Sequence, residues 1–209
     1  MNILQDFRFA VRSLRARAGT AGFAVLTLAT GMAAAIAIFC VIDAVLLRAL
    51  PYPDADRLVQ IRELADDGHP MAMATPNYDD LSTSTDAFEA IAFHNSGAST
   101  LKSGNTTIRT TIDFSGGDFF RVLGATPQLG RTFGTGEHEH VAVIGYGLWQ
   151  GLLRGRADVL GQPLDIDGAR YAIIGVMPAA FAFPEHAAVW IPMLDNPGTS
   201  RTAHNWDVV

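Results

Sequence analysis

The feature that most constrains this chain is a run from Ala18 to Ile42 that contains no charged residue and follows an arginine-studded start. Its 25 residues exceed the roughly 20 that an α-helix needs to cross a hydrocarbon core at about 1.5 Å per residue, so the run predicts a transmembrane helix. Arg8, Arg12, Arg15 and Arg17 precede it against a single acid, Asp6, whereas Asp43, Arg48, Asp54, Asp56 and Arg57 beyond it nearly cancel. Basic residues flanking a span are retained on the cytoplasmic side, which places the N-terminus inside. A cleaved signal peptide would share the basic start. It would, however, have a shorter apolar region of about 7 to 15 residues and small residues at its exit. Here the exit reads Asp43-Ala44-Val45-Leu46-Leu47-Arg48-Ala49-Leu50-Pro51, and an uncleaved anchor is the better reading.

Ahead of the span, Phe7, Val11 and Leu14 recur at helical spacing, and Arg8, Arg12 and Arg15 repeat the pattern one residue on. On a helix these are adjacent stripes about 100° apart. That arrangement suits a helix lying at the headgroup level of the bilayer, with packing on another domain as the alternative. Within the span, Gly31 and Ala35 belong to a small-residue patch that would let another helix approach, or that is merely tolerated in lipid. Asp43 and Arg48 sit where snorkelling to water is easy.

Residues 51–209 hold 10 Lys and Arg against 19 Asp and Glu, a net charge of −9, which argues against a nucleic-acid surface. Their length is that of one ordinary domain. The single cysteine, Cys40, lies in the span, so no disulfide is expected in the outer portion. Short periodic stretches separated by frequent turn signals favour an α+β domain. Leu58 to Arg62 reads as a strand, and Thr75-Pro76 as a helix entry with Thr75 as its cap. Ala90 to Phe93, Ser99 to Lys102 and Thr106 to Phe114 read as strands. Ser115-Gly116-Gly117-Asp118 opens a short helix carrying Phe119 and Phe120. Val141 to Ile144 reads as a buried strand, Tyr146 to Leu153 as a helix ending at Gly155. Asp167-Gly168 joins Pro163 to Ile166 with Tyr171 to Val176 as a hairpin.

A search for chemistry finds only weak constellations. His138-Glu139-His140 offers two imidazoles and a carboxylate, but adjacent residues on a strand alternate faces, and a solvated loop is the simpler reading. Gly145-Tyr146-Gly147 lacks the serine of a nucleophile elbow. Asp66 and Asp67, or Asp79 and Asp80, do not follow the ligand spacing of a calcium loop. Gly134-Thr135-Gly136 has no following lysine and is not a phosphate loop. Trp149, Trp190 and Trp206 suit core or hairpin packing. No catalytic residue, cofactor site or metal site is assigned, and no enzyme is expected.

Three groups of strings together resemble a known family. The first is Asp6-Phe7-Arg8-Phe9-Ala10-Val11-Arg12-Ser13-Leu14 with the span and its exit through Pro51-Tyr52-Pro53. The second is Gly117-Asp118-Phe119-Phe120-Arg121-Val122-Leu123-Gly124 with Leu129-Gly130-Arg131-Thr132-Phe133. The third is Gly147-Leu148-Trp149, Val159-Leu160-Gly161 and Ile174-Gly175-Val176-Met177-Pro178. In order and spacing they resemble the permease subunits of MacB-like ABC transporters (FtsX/MacB family), in particular the duplicated orphan permeases. Two local departures are a short loop before Val141 and Gly145-Tyr146 in place of the more usual small polar residue and histidine.

The resemblance implies a cytosolic amphipathic helix over 1–17, a transmembrane segment over 18–50, and a MacB-like periplasmic core domain over 51–209, incomplete at its C-terminus. His204 to Val209 looks like the start of a strand that the family continues, so the chain is expected to be an N-terminal fragment. The implied fold class is α+β, two N-terminal helices followed by a mixed α/β periplasmic domain in the bacterial inner membrane. The implied partners are a cytosolic ABC ATPase subunit and the lipid bilayer, with a homodimer or pseudo-dimer of permease halves in the full-length protein and no nucleic acid. The implied function is export or mechanotransmission, ATP hydrolysis by the partner being passed through the membrane to the periplasmic domain. Leu50-Pro51-Tyr52-Pro53 would stiffen that connection, because two prolines fix φ near −65°. The alternative is a single-span anchored periplasmic sensing or binding module.

Overall fold

The charge-free run forms one helix, α1 (Ala18–Ile42), with no buried residue along it. Phe23, Val25, Ile38 and Phe39 are each 60% exposed or more, and the helix has a mean hydropathy of 2.4 over its most apolar 18 residues. An all-round apolar surface of this kind is stable in lipid and not in water. Two hydroxyls inside it are satisfied locally: Thr27 and Thr30 donate to the carbonyls of Ala24 and Leu26 at 3.0 and 2.8 Å. The computed structural model describes residues 12, 15–43, 52–84, 87–137, 139–193 and 200–209. The Phe7, Val11 and Leu14 stripe and residues 44–51 lie outside the described residues. The chain divides into two compact units, Met1–Leu50 and Pro51–Val209.

In the second unit the strands are β1 (Glu63–Leu64), β2 (Pro70–Met71), β3 (Met73–Ala74), β4 (Ala92–Ser103), β5 (Thr106–Gly117), β6 (Leu129–Gly130), β7 (Val141–Ile144), β8 (Pro163–Ile166), β9 (Ala169–Val176), β10 (Ala187–Pro192) and β11 (His204–Val208). Three short helices join them: α2 (Thr75–Ser84), α3 (Phe119–Val122) and α4 (Tyr146–Gly151). Six strands pair in a closed circuit. The long hairpin β4/β5 continues from β5 to a parallel β10, then to an antiparallel β7, a parallel β9 and an antiparallel β8, which returns to pair with β4. The result is a small mixed barrel.

The barrel closes because its interior is apolar on every strand. Leu101 of β4, Ile112 of β5, Ile144 of β7, Leu164 of β8, Ile173 of β9 and Ile191 of β10 meet in one buried cluster, and Leu148 of α4 and Val159 join it. Each such side chain contributes about 1.5–3 kcal/mol by leaving water. Exposed ion pairs such as Arg156–Asp158 contribute far less, so the barrel core is what holds the fold. The closure itself is fastened at the β8/β9 turn. Asp167 and Gly168 have φ of 49° and 88°, as a two-residue hairpin requires. The Asp167 N–H donates to the Thr100 carbonyl at 2.9 Å, and the Thr100 N–H donates to the Asp167 carboxylate at 2.8 Å. That second bond from Thr100 holds the Asp167 carboxyl below the usual carboxylate range.

Outside the barrel, Val141 and Val143 of β7 face the opposite way from Ala142 and Ile144 and join Phe119, Phe120, Leu123, Phe133, Met177 and Trp190 in a second cluster. Both faces of β7 are therefore covered, which is why Val141-Ala142-Val143-Ile144 is apolar without alternation. On the far flank, β11 lies between β4 and β3, and Met73, Tyr78, Phe93, Trp206 and Val208 form a third cluster.

Several expected elements shift. Leu58 to Arg62 is not a strand; Ile61 makes one bridge to Val208 and pairing starts at Glu63. Ala92 and Phe93 of the expected Ala90 to Phe93 strand and all of Ser99 to Lys102 belong to one strand that starts at Ala92, because β4 stays in register with β5 from Ala92 to Ser103 through the polar Asn95-Ser96-Gly97 stretch. The helix after Gly145 stops at Gly151 and continues only as turns to Gly155. Thr75 is the first helical residue, and its hydroxyl accepts the Trp206 indole N–H at 2.8 Å where a capping contact was expected.

Candidate functional site

Three places combine functional side chains. The first begins where the chain enters the second unit. The Tyr52 ring meets Phe181 and Phe183 edge-on, with centroids 6.4 and 6.0 Å apart. Burial pushes the Tyr52 phenol above its ordinary pKa. Pro53 packs against Gly124, where an added Cβ would lie 3.1 Å from the proline ring. Gly124 is available there because it ends α3 at φ +59°, with the Ala125 N–H returning to the Phe120 carbonyl at 2.8 Å. Tyr52 and Pro53 are thus seated on the aromatic cluster, and the fixed φ of Pro53 adds stiffness to that docked position.

Directly beneath Phe183 lies the second place, a buried polar group on the outer face of the β4/β5 hairpin. His94 Nδ1 is 3.1 Å from Asp113 Oδ2, and at the solvent edge of the group the exposed Ser96 donates its hydroxyl to the same oxygen at 2.8 Å. His94 and Ser115 are cross-strand partners, as are Ser96 and Asp113. Asp113 and Ser115 are fully buried, and among the described residues neither Asp113 Oδ1 nor Ser115 Oγ has a hydrogen-bond partner. Ser, His and Asp in one cluster is the inventory of a nucleophilic triad. Yet Ser115 makes no bond to His94, and the Phe119 and Phe183 rings cover the histidine at 5.6 and 5.1 Å. The arrangement offers a substrate no approach.

A groove of about 430 Å³ is the third place, lined by Pro53, Arg57, Leu58, Phe88, Glu89 and Arg121 among others. Both arginines are already paired, Arg57 with Glu89 at 2.8 Å and Arg121 with Asp118. Burial raises the Asp118 carboxyl, but the Thr135 hydroxyl and Arg121 outweigh it and hold the group below its usual range.

The residues weighed in the sequence are dispersed. His138 lies outside the described residues, and the His140 ring rests against Tyr171 at 5.2 Å. Asp67 accepts from the backbone and ring of His69, and Asp80 pairs with Arg201 at 2.8 Å. Thr135 of Gly134-Thr135-Gly136 donates to Asp118. Trp190 and Trp206 are buried, and Trp149 packs on the barrel core with its indole N–H on the Arg156 carbonyl. Among the described residues no group of three His, Cys, Asp or Glu side chains is placed to hold a metal. Sequence reading passed over His94 and Asp113. The signal was an ionisable residue in each of two paired strands, at the apolar junctions Phe93-His94 and Ile112-Asp113-Phe114.

A profile of the MacB-like periplasmic core domain matches residues 21–207, from inside α1 to the last strand. The chain belongs to the MacB-like periplasmic core domain family. Solved structures share the architecture. The extracellular domain of the noncanonic ABC-type transporter YknZ from Gram-positive bacteria aligns with a TM-score of 0.54 at 16% identity, over 71% of this chain and 79% of that one. The periplasmic region of MacB from Actinobacillus actinomycetemcomitans gives 0.55 at 15%, over 72% of each chain. A domain of a permease protein from Porphyromonas gingivalis, described there as a putative one, gives 0.50 at 16%, over 66% of each. No curated protein sequence matches this chain significantly. Likenesses at this identity speak for the fold. The chain thus combines a MacB-like periplasmic core domain with an apolar helix long enough to span a membrane.

Proposed function

We propose that this chain is the N-terminal part of a permease subunit of a MacB-like ABC transporter, anchored in the bacterial inner membrane with its N-terminus cytoplasmic. It extends as 1–17 cytosolic helix, 18–50 membrane segment and 51–209 periplasmic domain, and it works with a cytosolic ATPase and a second permease half. Its part is mechanical: movement of the membrane segment is delivered to the outer domain, in export or in mechanotransmission. The observation that carries this reading is the seat of Tyr52 and Pro53 on Phe181, Phe183 and Gly124. A segment held by a packed aromatic contact transmits displacement, whereas a free tether would absorb it.

The test is co-purification of the full-length permease with its ATPase, followed by measurement of ATP turnover with the outer domain intact and deleted. Turnover that depends on the domain supports coupling; turnover indifferent to it removes the proposal's support.

A further inference from the structure

Phe183 touches the linker on one side and the buried polar group on the other. Its ring lies 6.0 Å from Tyr52 and 5.1 Å from His94, and its carbonyl accepts the Trp190 indole N–H at 3.0 Å. The segment from Pro178 to Pro184 therefore lies as a strap across the cluster, held by ring contacts of Phe181 with Phe120 and Trp190 and of Phe183 with Phe119.

What it covers is poorly suited to being covered. Asp113 Oδ1 and Ser115 Oγ are buried and have no partner among the described residues, and a polar atom in that state regains a hydrogen bond as soon as water reaches it. The neighbouring charges do not supply the missing partner. Asp207 of β11 faces Arg62, Glu185 at the end of the strap faces His186, and Asp118 ahead of α3 faces Arg121 and Thr135. The closed position thus sets apolar ring contacts, Tyr52 among them, against unmet hydration beneath.

The geometry points to a gated strap: seating of Tyr52 on Phe181 and Phe183 keeps the His94–Asp113–Ser115 cluster dry, and withdrawal of Tyr52 opens the cluster to water. The inference deepens the coupling reading and rests on it, since it names what the linker's movement changes inside the domain. It makes the strap a two-position element, the kind of device through which a small displacement becomes a discrete change.

Diethyl pyrocarbonate modification of histidines, located by mass spectrometry, tests the gate in the full 209-residue chain in detergent without any ATPase. His204, which is partly exposed and paired with Glu63 at 3.0 Å, serves as the internal reference. Relative to His204, His94 is expected to be protected in the parent chain, to react at least threefold faster in Tyr52→Ala and Phe183→Ala, and to stay protected in Tyr52→Phe. Where Tyr52→Ala unfolds the domain, Tyr52→Leu carries the test, with a smaller rise at His94 alone. An unchanged His94 rate, or an equal rise at His204 in every variant, overturns the gate. Either result leaves the ATP-turnover test of coupling standing, so the two failures are distinguishable.

Discussion

Tyr52 meets Phe183 edge-on, with ring planes at 83° and centroids 6.0 Å apart, and this contact ties the entry of the outer domain to its aromatic cluster. A half-buried tyrosine body with two edge-on partners contributes about 1.5–3 kcal/mol. Tyr52→Ala is therefore expected to lower the midpoint of urea unfolding by an amount corresponding to that range, with an unchanged slope. Tyr52→Phe, which keeps the ring, should stay within about 0.5 kcal/mol of the parent. Equal losses in the two variants would show that the hydroxyl, and not the ring, holds the segment.

Gly117 is a narrow backbone position between β5 and α3. It turns the chain from β5 into α3 at φ +65°, and an added Cβ would lie 2.5 Å from the Tyr78 hydroxyl and 2.7 Å from the Ile91 carbonyl oxygen. The left-handed conformation alone costs a residue with a Cβ about 1–2 kcal/mol, and the clash with a backbone oxygen adds to it. Gly117→Ala should destabilise the domain by about 2–4 kcal/mol in denaturant titration. Gly168→Ala, with a similar φ and open space around its Cβ, should cost only the conformational part.

Tyr78 gives the domain a sensitivity to alkali. Burial, reinforced by the Asp79 and Asp118 carboxylates, pushes its phenol up to about 12 from an ordinary 10. The folded state holds the proton more tightly than the unfolded chain. The associated stability is therefore complete below about pH 10 and is lost as the pH rises towards 12, by roughly 2–3 kcal/mol. Unfolding midpoints measured from pH 9 to 11.5 should fall in the parent. In Tyr78→Phe that part of the slope should disappear, and a slope that persists would place the sensitivity elsewhere.

These expectations rest on packing that the sequence discloses unevenly. Local chemistry was readable: the charge-free run became α1, Asp167-Gly168 became a hairpin turn, and Val141 to Ile144 became a strand. Contacts between distant segments were not. Thr100 and Asp167 fasten the barrel across 67 residues, and no periodicity in either neighbourhood marks the other as its partner. β10 was not among the expected strands; it ends at Pro192, and its partners β5 and β7 are distant in sequence. The polar centre of β4 read as a break, although Gly97 lies opposite Ile112 in unbroken pairing. The seat of Tyr52 on Phe181 and Phe183 belongs to the same class, whereas the His94–Asp113 pair depends on the register of the β4/β5 hairpin.

Orientation across the membrane is open to a chemical test. In a Cys40→Ser background, Asn105→Cys places one thiol at the exposed tip of the β4/β5 hairpin and avoids Gly104, whose φ is +56°. A membrane-impermeant maleimide should label it in intact right-side-out vesicles. Labelling only after lysis would put the domain on the cytoplasmic side.

The most direct measurement of the account as a whole is ATP turnover by the assembled full-length permease and ATPase carrying Tyr52→Ala, compared with Tyr52→Phe and the parent. If movement passes through the Tyr52 seat, Tyr52→Ala should change turnover at least threefold at unchanged complex yield, while Tyr52→Phe keeps the parent rate. Identical turnover in all three would contradict the claim that the outer domain is coupled to the membrane through this contact.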